Sequence, residues 1–356
     1  MISPRENLLH ACRREGFEWV PLDFLLCDAQ IENFKNRTGH TDYFKWFDMD
    51  FRWVTLQEHP GYTHGQELYT REELPGDTEF DLLGVGHSKG SAAAYHMTRM
   101  HHPLKGDISP EEILNYPLPH FTEAENQELF KEVQSLNQQG LATMCPMQMT
   151  IWESSWYLRS MEDLLTDIMF GDEKATLLLD RVTQYAIDRV RLYTRAGVDI
   201  LSLGDDLGAQ KAPLMSVDMW LNWIQPRLKK VIVAAREINP DILVFYHSCG
   251  FVTPFIEHLI ETGIDILNPV QPESMDFNEI YSQFGDRLSF WGTLGTQQLL
   301  PFGTPAEIRE VIEDRLKTCG TRGGLVLGPT HLVEPEVPFE NLEVIKETAR
   351  SLYPKN

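Results

Sequence analysis

From about residue 140 onward, short apolar runs alternate along the chain with longer amphipathic stretches. The short runs are rich in β-branched residues and cover 141–146, 198–203, 241–247, 265–268, 287–292 and 324–328. Between them, apolar residues recur at helical spacing, most regularly over 172–196. Single helices between successive strands predict a parallel sheet with right-handed crossovers.

The amphipathic stretches have readable helix signals. We predict helices over 160–170, 172–196, 216–238, 253–261 and 340–352, and one more that begins after Thr304. The sequence from Thr304 to Glu307 combines a capping box with a proline at the first helical position, which is a strong start signal.

Counting back, residues 19–24 form a plausible first strand, so that about eight strand–helix units can be drawn, with the second unit uncertain. We therefore predict an α/β fold, a (β/α)8 TIM barrel, as a single domain over residues 1–356. Residues 40–130 are irregular and rich in aromatic, histidine and turn residues, so we expect an N-terminal insertion or lid over the barrel mouth. A doubly wound sheet is the alternative.

Composition narrows the set of partners. The chain has 53 acidic and 31 basic residues, a formal net charge of −22, which argues against nucleic acid or an anionic membrane surface. An apolar share of 42% fits a globular protein, and no run is long enough to span a bilayer. Five scattered cysteines and the lack of an apolar segment near residue 1 favour a reducing cytoplasm.

In a TIM barrel, catalytic groups lie at the C-terminal ends of the strands. The polar candidates at those positions are Glu153, Asp205, Asp206, His247, Cys249, Asn268, Gln271, Gln297 and His331. We predict substrate contacts for Asn268, Gln271 and Gln297. Adjacent carboxylates at Asp205 and Asp206, with Glu153, suit acid–base or ligand-orienting roles, although one of the pair could simply cap the next segment.

His247 and Cys249 are two residues apart at a strand end, so both side chains project to the same side. Imidazole and thiolate are zinc-type ligands, and a catalytic zinc needs a third. Cys319 precedes the last strand and falls at the opposite face of the barrel, whereas His331 follows that strand. We therefore predict His247, Cys249 and His331 as the metal ligands. Glu153, Asp205, Gln271 or water could be the fourth.

Several segments together resemble the uroporphyrinogen decarboxylase superfamily. They are 204–210, 246–250, 265–272, 290–292, 328–331 and 336–341. The resemblance spans nearly the whole chain and implies the (β/α)8 barrel. Within the superfamily the chain looks most like the zinc-dependent, corrinoid-linked methyltransferases, whose pattern is His-x-Cys followed by a distant Cys. His247 and Cys249 match the pair, and His331 stands where those enzymes have the last cysteine.

True decarboxylases of that superfamily carry an arginine-containing segment near the first strand, whereas residues 20–27 here contain no arginine. The resemblance therefore implies a zinc-dependent methyltransferase that moves a methyl group between a small methylated substrate, or an acceptor, and a corrinoid carried by a partner protein. Two alternatives stay open: a decarboxylase or lyase of a small carboxylate other than a porphyrinogen, and a non-catalytic barrel that binds a corrinoid protein.

Overall fold

The computed structural model describes residues 2–57, 65–90 and 98–355. Ten strands occur in these ranges: β1 (Phe51–Trp53), β2 (Glu79–Phe80), β3 (Gly86–Ser88), β4 (Arg99–His101), β5 (Ala142–Met147), β6 (Ile200–Gly204), β7 (Leu243–His247), β8 (Ile266–Asn268), β9 (Ser289–Trp291) and β10 (Leu325–Val326). Seven of them form one parallel sheet in the order β1-β5-β6-β7-β8-β9-β10, and β2, β3 and β4 form a separate antiparallel sheet.

Helices cover the outside of the parallel sheet. The α-helices in the described ranges are α1 (Pro4–Cys12), α2 (Asp28–Thr38), α3 (Tyr43–Trp46), α4 (Pro110–Asn115), α5 (Gln127–Gln138), α6 (Trp152–Arg159), α7 (Met161–Phe170), α8 (Glu173–Ala196), α9 (Val217–Trp223), α10 (Gln225–Arg236), α11 (Ile256–Thr262), α12 (Phe277–Phe284), α13 (Leu299–Phe302), α14 (Pro305–Cys319) and α15 (Phe339–Leu352). No helix in these ranges is long and apolar enough to cross a membrane.

Residues 20–26 occupy the eighth position of the ring. Leu22 forms a parallel bridge with Leu327, just beyond β10. On the other side, the indole of Trp19 donates to the buried carboxylate of Asp50, directly before β1, at 2.8 Å. Residues 20–26 thus complete the set of eight positions, paired with the end of β10 on one side and held near the start of β1 on the other, and the predicted (β/α)8 barrel is confirmed. Strands that follow one another around the sheet in chain order exclude the doubly wound alternative.

Two predicted elements differ from the structure in detail. The first strand is reduced to bridges rather than a regular ladder. The helix predicted over 216–238 is two helices, α9 and α10, which meet at Ile224. Pro226 explains the break, because proline lacks an amide hydrogen and its ring clashes with the carbonyl four residues earlier. The capping box at Thr304 and Glu307 is present as predicted.

Residues 40–130 do more than form an insertion. They supply β1, which is the second strand of the barrel, as well as the small sheet of β2, β3 and β4. Three residues are too few for a periodic pattern, which is why this strand could not be placed from the sequence. That the rest of the segment covers the barrel mouth stays a prediction.

Candidate metal centre

The C-terminal ends of the central strands bring the predicted site residues to one level of the barrel. His247 is the last residue of β7, and its register partners are Gly204 at the end of β6 and Asn268 at the end of β8. Side chains from three neighbouring strand ends therefore share one edge of the sheet, the edge at which TIM barrels place their chemistry.

His247, Cys249 and His331 lie together at this edge. Their ligand atoms are all within 4.8 Å of one another, and the Cys249 Sγ is 3.5 Å from the His247 Nε2. The two imidazole rings have centroids 6.1 Å apart. His247 and Cys249 are partly buried, whereas His331 is exposed. The structure thus assembles the three residues that the sequence pattern nominated.

These distances fit a zinc ion. Zn–N and Zn–S bonds at a tetrahedral angle place the two donor atoms about 3.6 Å apart, close to the separation of His247 and Cys249. The His331 donor atom lies within 4.8 Å of both, which is near enough for it to be the third ligand. One thiolate and two imidazoles leave a fourth position open, which is typical of catalytic rather than structural zinc sites. The donor set therefore fits a zinc with room for substrate.

Asn268 orients the imidazole of His247. The Asn268 Nδ2 donates to the Trp291 carbonyl at 2.7 Å, so its Oδ1 is the atom that faces the His247 Nδ1, at 2.6 Å. This assigns the proton of the ring to Nδ1 and leaves Nε2 with a lone pair toward Cys249 and His331. Both polar groups of Asn268 are thus engaged, and the geometry favours a positioning role over the predicted substrate contact.

Hydrogen bonds from backbone amides to side chains hold the loop that carries Cys249 in place. The amide of Cys249 donates to the Asp206 Oδ1 at 2.7 Å, and the amide of Gly250 donates to the Gln271 Oε1 at 3.0 Å. Gly250 has φ +78°, and a Cβ there would lie 2.6 Å from the Gly208 carbonyl oxygen. Glycine is therefore required where the loops after β6 and β7 approach each other.

Asp206 and Glu153 place negative charge beside the three ligands. The Asp206 Oδ1 is 3.6 Å from the His247 Nε2, and the Glu153 Oε2 accepts the Asp206 amide at 3.0 Å. Burial, with Asp206 and Asp205 nearby, raises the pKa of Glu153 well above its ordinary value. Burial, together with Asp206 and Glu153 nearby, raises the pKa of the Cys249 thiol. A divalent cation would reverse this effect on the thiol.

Asp205 differs from Asp206 in its burial and in its hydrogen-bond partners. It is fully buried, and its carboxylate accepts the amides of Ile151 and Glu153 at 2.9–3.1 Å at the start of α6. Burial raises the pKa of Asp205 to about 7, although these amides oppose the shift. The contacts favour a structural anchor, and the predicted catalytic role stays a prediction.

Substitution of Asp205 can distinguish a structural anchoring role from a catalytic role. We expect Asp205→Ala to lower the free energy of unfolding by about 1–3 kcal/mol, because buried amides lose their acceptor. Asp205→Asn, which keeps one acceptor oxygen, should lose less. Urea denaturation measures both variants. Unchanged stability together with lost turnover would instead establish a catalytic role.

Two cavities meet at the cluster of His247, Cys249 and His331. The inner cavity, of about 250 Å³, is lined by groups that include His247, Asn268, Trp291 and Gln148. The outer cavity, of about 510 Å³, is lined by groups that include Cys249, Gln271, Gln297 and Glu336. Thr330, His331 and Leu332 line both. A bound metal would therefore be accessible from two spaces, and the predicted substrate residues Gln271 and Gln297 belong to the outer one.

Comparison with known proteins identifies the family. The sequence model named Uroporphyrinogen decarboxylase (URO-D) matches residues 78–352, which is most of the chain. The chain belongs to the uroporphyrinogen decarboxylase family. A solved structure described as a methyltransferase from Methanosarcina mazei has the same fold: it aligns with a TM-score of 0.71 over 99% of this chain and 100% of its own, at 16% identity.

Curated relatives of this uroporphyrinogen decarboxylase family member carry two different activities in their names. A methylated-thiol–coenzyme M methyltransferase from Methanosarcina mazei is 24% identical over 57% of this chain and 52% of its own length. A uroporphyrinogen decarboxylase from Coxiella burnetii is 24% identical over 50% of this chain and 48% of its own length. The chain thus spans about half the length of the curated relatives it matches.

One residue of the site was missed from the sequence. Asp23 lies in the first barrel segment and lines the inner cavity of this uroporphyrinogen decarboxylase family member. Its Oδ2 accepts the indole proton of Trp291 at 2.7 Å. A lone acidic residue inside the apolar run 20–26 was a signal for it, because a carboxylate in a barrel strand needs a partner.

Proposed function

We propose that this protein is a zinc-dependent methyltransferase that moves a methyl group between a small substrate and a corrinoid carried by a partner protein. The observation that carries the proposal is the cluster of His247, Cys249 and His331 at the barrel mouth, open to two cavities. The methyltransferase named among the curated relatives supports the reaction class.

Each residue of the candidate site would have its own role in the reaction. His247, Cys249 and His331 would hold the zinc, which when bound supplies Lewis acidity toward the heteroatom that gains or loses the methyl group. Asn268 fixes the His247 ring, and Asp206 fixes the backbone of Cys249. The Asp206 Oδ1 also lies 3.6 Å from the His247 Nε2, which makes Asp206 our candidate for a fourth ligand in the absence of substrate.

The two cavities suit two reactants. We assign the small substrate to the inner cavity and the approach of the corrinoid partner to the outer one, which is the larger. We further propose a reducing cytoplasm as the compartment, because all five cysteines are free and Cys249 must remain a thiol to bind metal.

The cavities weigh against the alternative of a porphyrinogen decarboxylase. Among the described residues, neither cavity is lined by lysine or arginine, and their lining includes Asp23, Glu334 and Glu336. A substrate with many carboxylates would meet like charge without a compensating cation. A decarboxylase or lyase reaction on a smaller carboxylic acid remains the second reaction class. A non-catalytic barrel that binds a corrinoid protein is the third possibility.

Metal analysis and chelation test the proposal. We expect about one zinc per chain in the purified protein, on the basis of one set of three ligands. Methyl transfer assayed with methylcobalamin should stop after complete chelation and return when zinc is added. Turnover that survives complete metal removal would overturn the zinc-dependent reaction, and decarboxylation without methyl transfer would establish the second class.

A further inference from the structure

The carboxyl group of Asp23 has an incomplete set of partners. Trp291 donates to its Oδ2, whereas its Oδ1 is enclosed and has no hydrogen-bond partner among the described residues. The backbone is held in place, since the Asp23 amide donates to the Leu327 carbonyl at 3.0 Å. The backbone of Asp23 is therefore fixed at the wall of the inner cavity, and its carboxyl group can accept further hydrogen bonds.

Apart from the two histidines assigned to the metal, the wall of the inner cavity offers no basic side chain to the Asp23 carboxylate within the described residues. Within the described part of the chain, the residues that line the inner cavity include no lysine or arginine. The polar groups of Asn268 are already engaged with His247 and Trp291. Burial raises the pKa of Asp23 to about 6, and the hydrogen bond from Trp291 together with the nearby Phe24 amide offsets only part of the effect. A carboxyl group so placed remains largely ionised at neutral pH without a counter-ion.

The other walls of the inner cavity are aromatic. Trp53, Phe245 and Trp291 line it together with Asp23. Aromatic faces attract cations, and a desolvated carboxylate attracts them more strongly. A volume of about 250 Å³ is also smaller than that of most ligand cavities, so the occupant is small.

We propose that Asp23 binds a cationic nitrogen of the substrate, so that the inner cavity selects a small ammonium compound whose methylated heteroatom is a second, different atom. The proposal deepens the function proposed above and rests on it, because the heteroatom that exchanges the methyl group would face His247 and His331. Asp23 would be a specificity-determining residue, and the acidic balance of the chain is consistent with a cationic substrate.

Binding of trimethylammonium chloride to zinc-loaded protein tests the proposal by calorimetry. We expect the cation to bind the native protein and expect Asp23→Asn to weaken it by about 10- to 100-fold, the range for loss of a charged hydrogen-bonding partner. The neutral isostere tert-butanol should bind weakly and equally to both. Asparagine keeps an acceptor for Trp291, so the fold should be retained, which circular dichroism would verify.

A matched variant controls for net charge. Glu347→Gln removes one negative charge from the exposed face of α15, and we expect it to leave the affinity for trimethylammonium unchanged. Equal affinity of the native protein and Asp23→Asn, or no binding by the native protein, would overturn the proposal. Zinc content is measured on the same samples. A protein that binds the cation but holds no zinc would refute the methyltransferase mechanism and leave the assignment of Asp23 intact.

Discussion

Replacing Cys249 with serine is expected to remove the metal and the methyl transfer together. The thiol is the only sulfur donor in the cluster with His247 and His331, and a serine hydroxyl is a poor zinc ligand at neutral pH. Loss of an outer hydrogen-bond partner of a metal ligand already lowers metal affinity by about 10- to 100-fold, so loss of a ligand should exceed that range. Competition with a chromophoric zinc chelator measures the affinity.

The chain offers a control for this substitution. Cys27 is also partly buried and free, it lies at the start of α2, and it is not a member of the three-residue cluster. Cys27→Ser should therefore keep its zinc and its rate. If Cys249→Ser kept both as well, the metal centre would be wrongly assigned and the non-catalytic barrel would become the better hypothesis.

Arg159→Met is expected to cause the largest loss of stability, about 3–5 kcal/mol, because it breaks a buried ion pair. The Arg159 side chain is 4% exposed, and its Nε donates to the Asp167 carboxylate at 3.0 Å. It also donates to the carbonyl oxygens of Leu104 and Gly106, each at 2.6 Å. Methionine keeps much of the volume but leaves these acceptors without their donor. Urea denaturation measures the change.

A solvent-exposed ion pair in the same protein shows whether burial causes the large loss of stability expected for Arg159→Met. Arg287 and Glu257 form two hydrogen bonds of 2.6 Å, and both side chains are 47% exposed. Arg287→Met should cost less than about 1 kcal/mol, since solvent screens the pair. Similar losses for the two variants would show that burial of the Arg159 pair contributes little.

The sequence predicted those parts of the fold whose pattern is local and repeated. The helix Glu173–Ala196 and the strand that ends at His247 are long enough to show their periodicity. The strand Phe51–Trp53 is not, and it is placed by its pairing with residues 142–144 rather than by its own composition. The break at Ile224 follows from Pro226, which a calculation of apolar spacing alone does not register.

The sequence predicted which residues come together at the candidate site but not the contacts that support them. Strand-end position was enough to nominate His247, Cys249 and His331, because a parallel barrel brings those ends together. The positioning role of Asn268 and the anchoring contacts of Asp205 depend on bonds to other strands and helices, which no spacing in the sequence encodes. Asp23 was not predicted because it lies within the first barrel segment rather than at the end of a strand.

The bonds that run from His247 through Asn268 and Trp291 to Asp23 cross the floor of the inner cavity and tie four barrel positions to one another. In directed evolution toward new substrates, substitutions in the inner and the outer cavity would have different effects on the candidate metal centre. Substitution of Asn268, which holds the His247 ring, would disturb the candidate metal ligand as well as the substrate. The outer cavity, whose wall includes the exposed Gln297 and Phe302, could be randomised with far less risk to the centre.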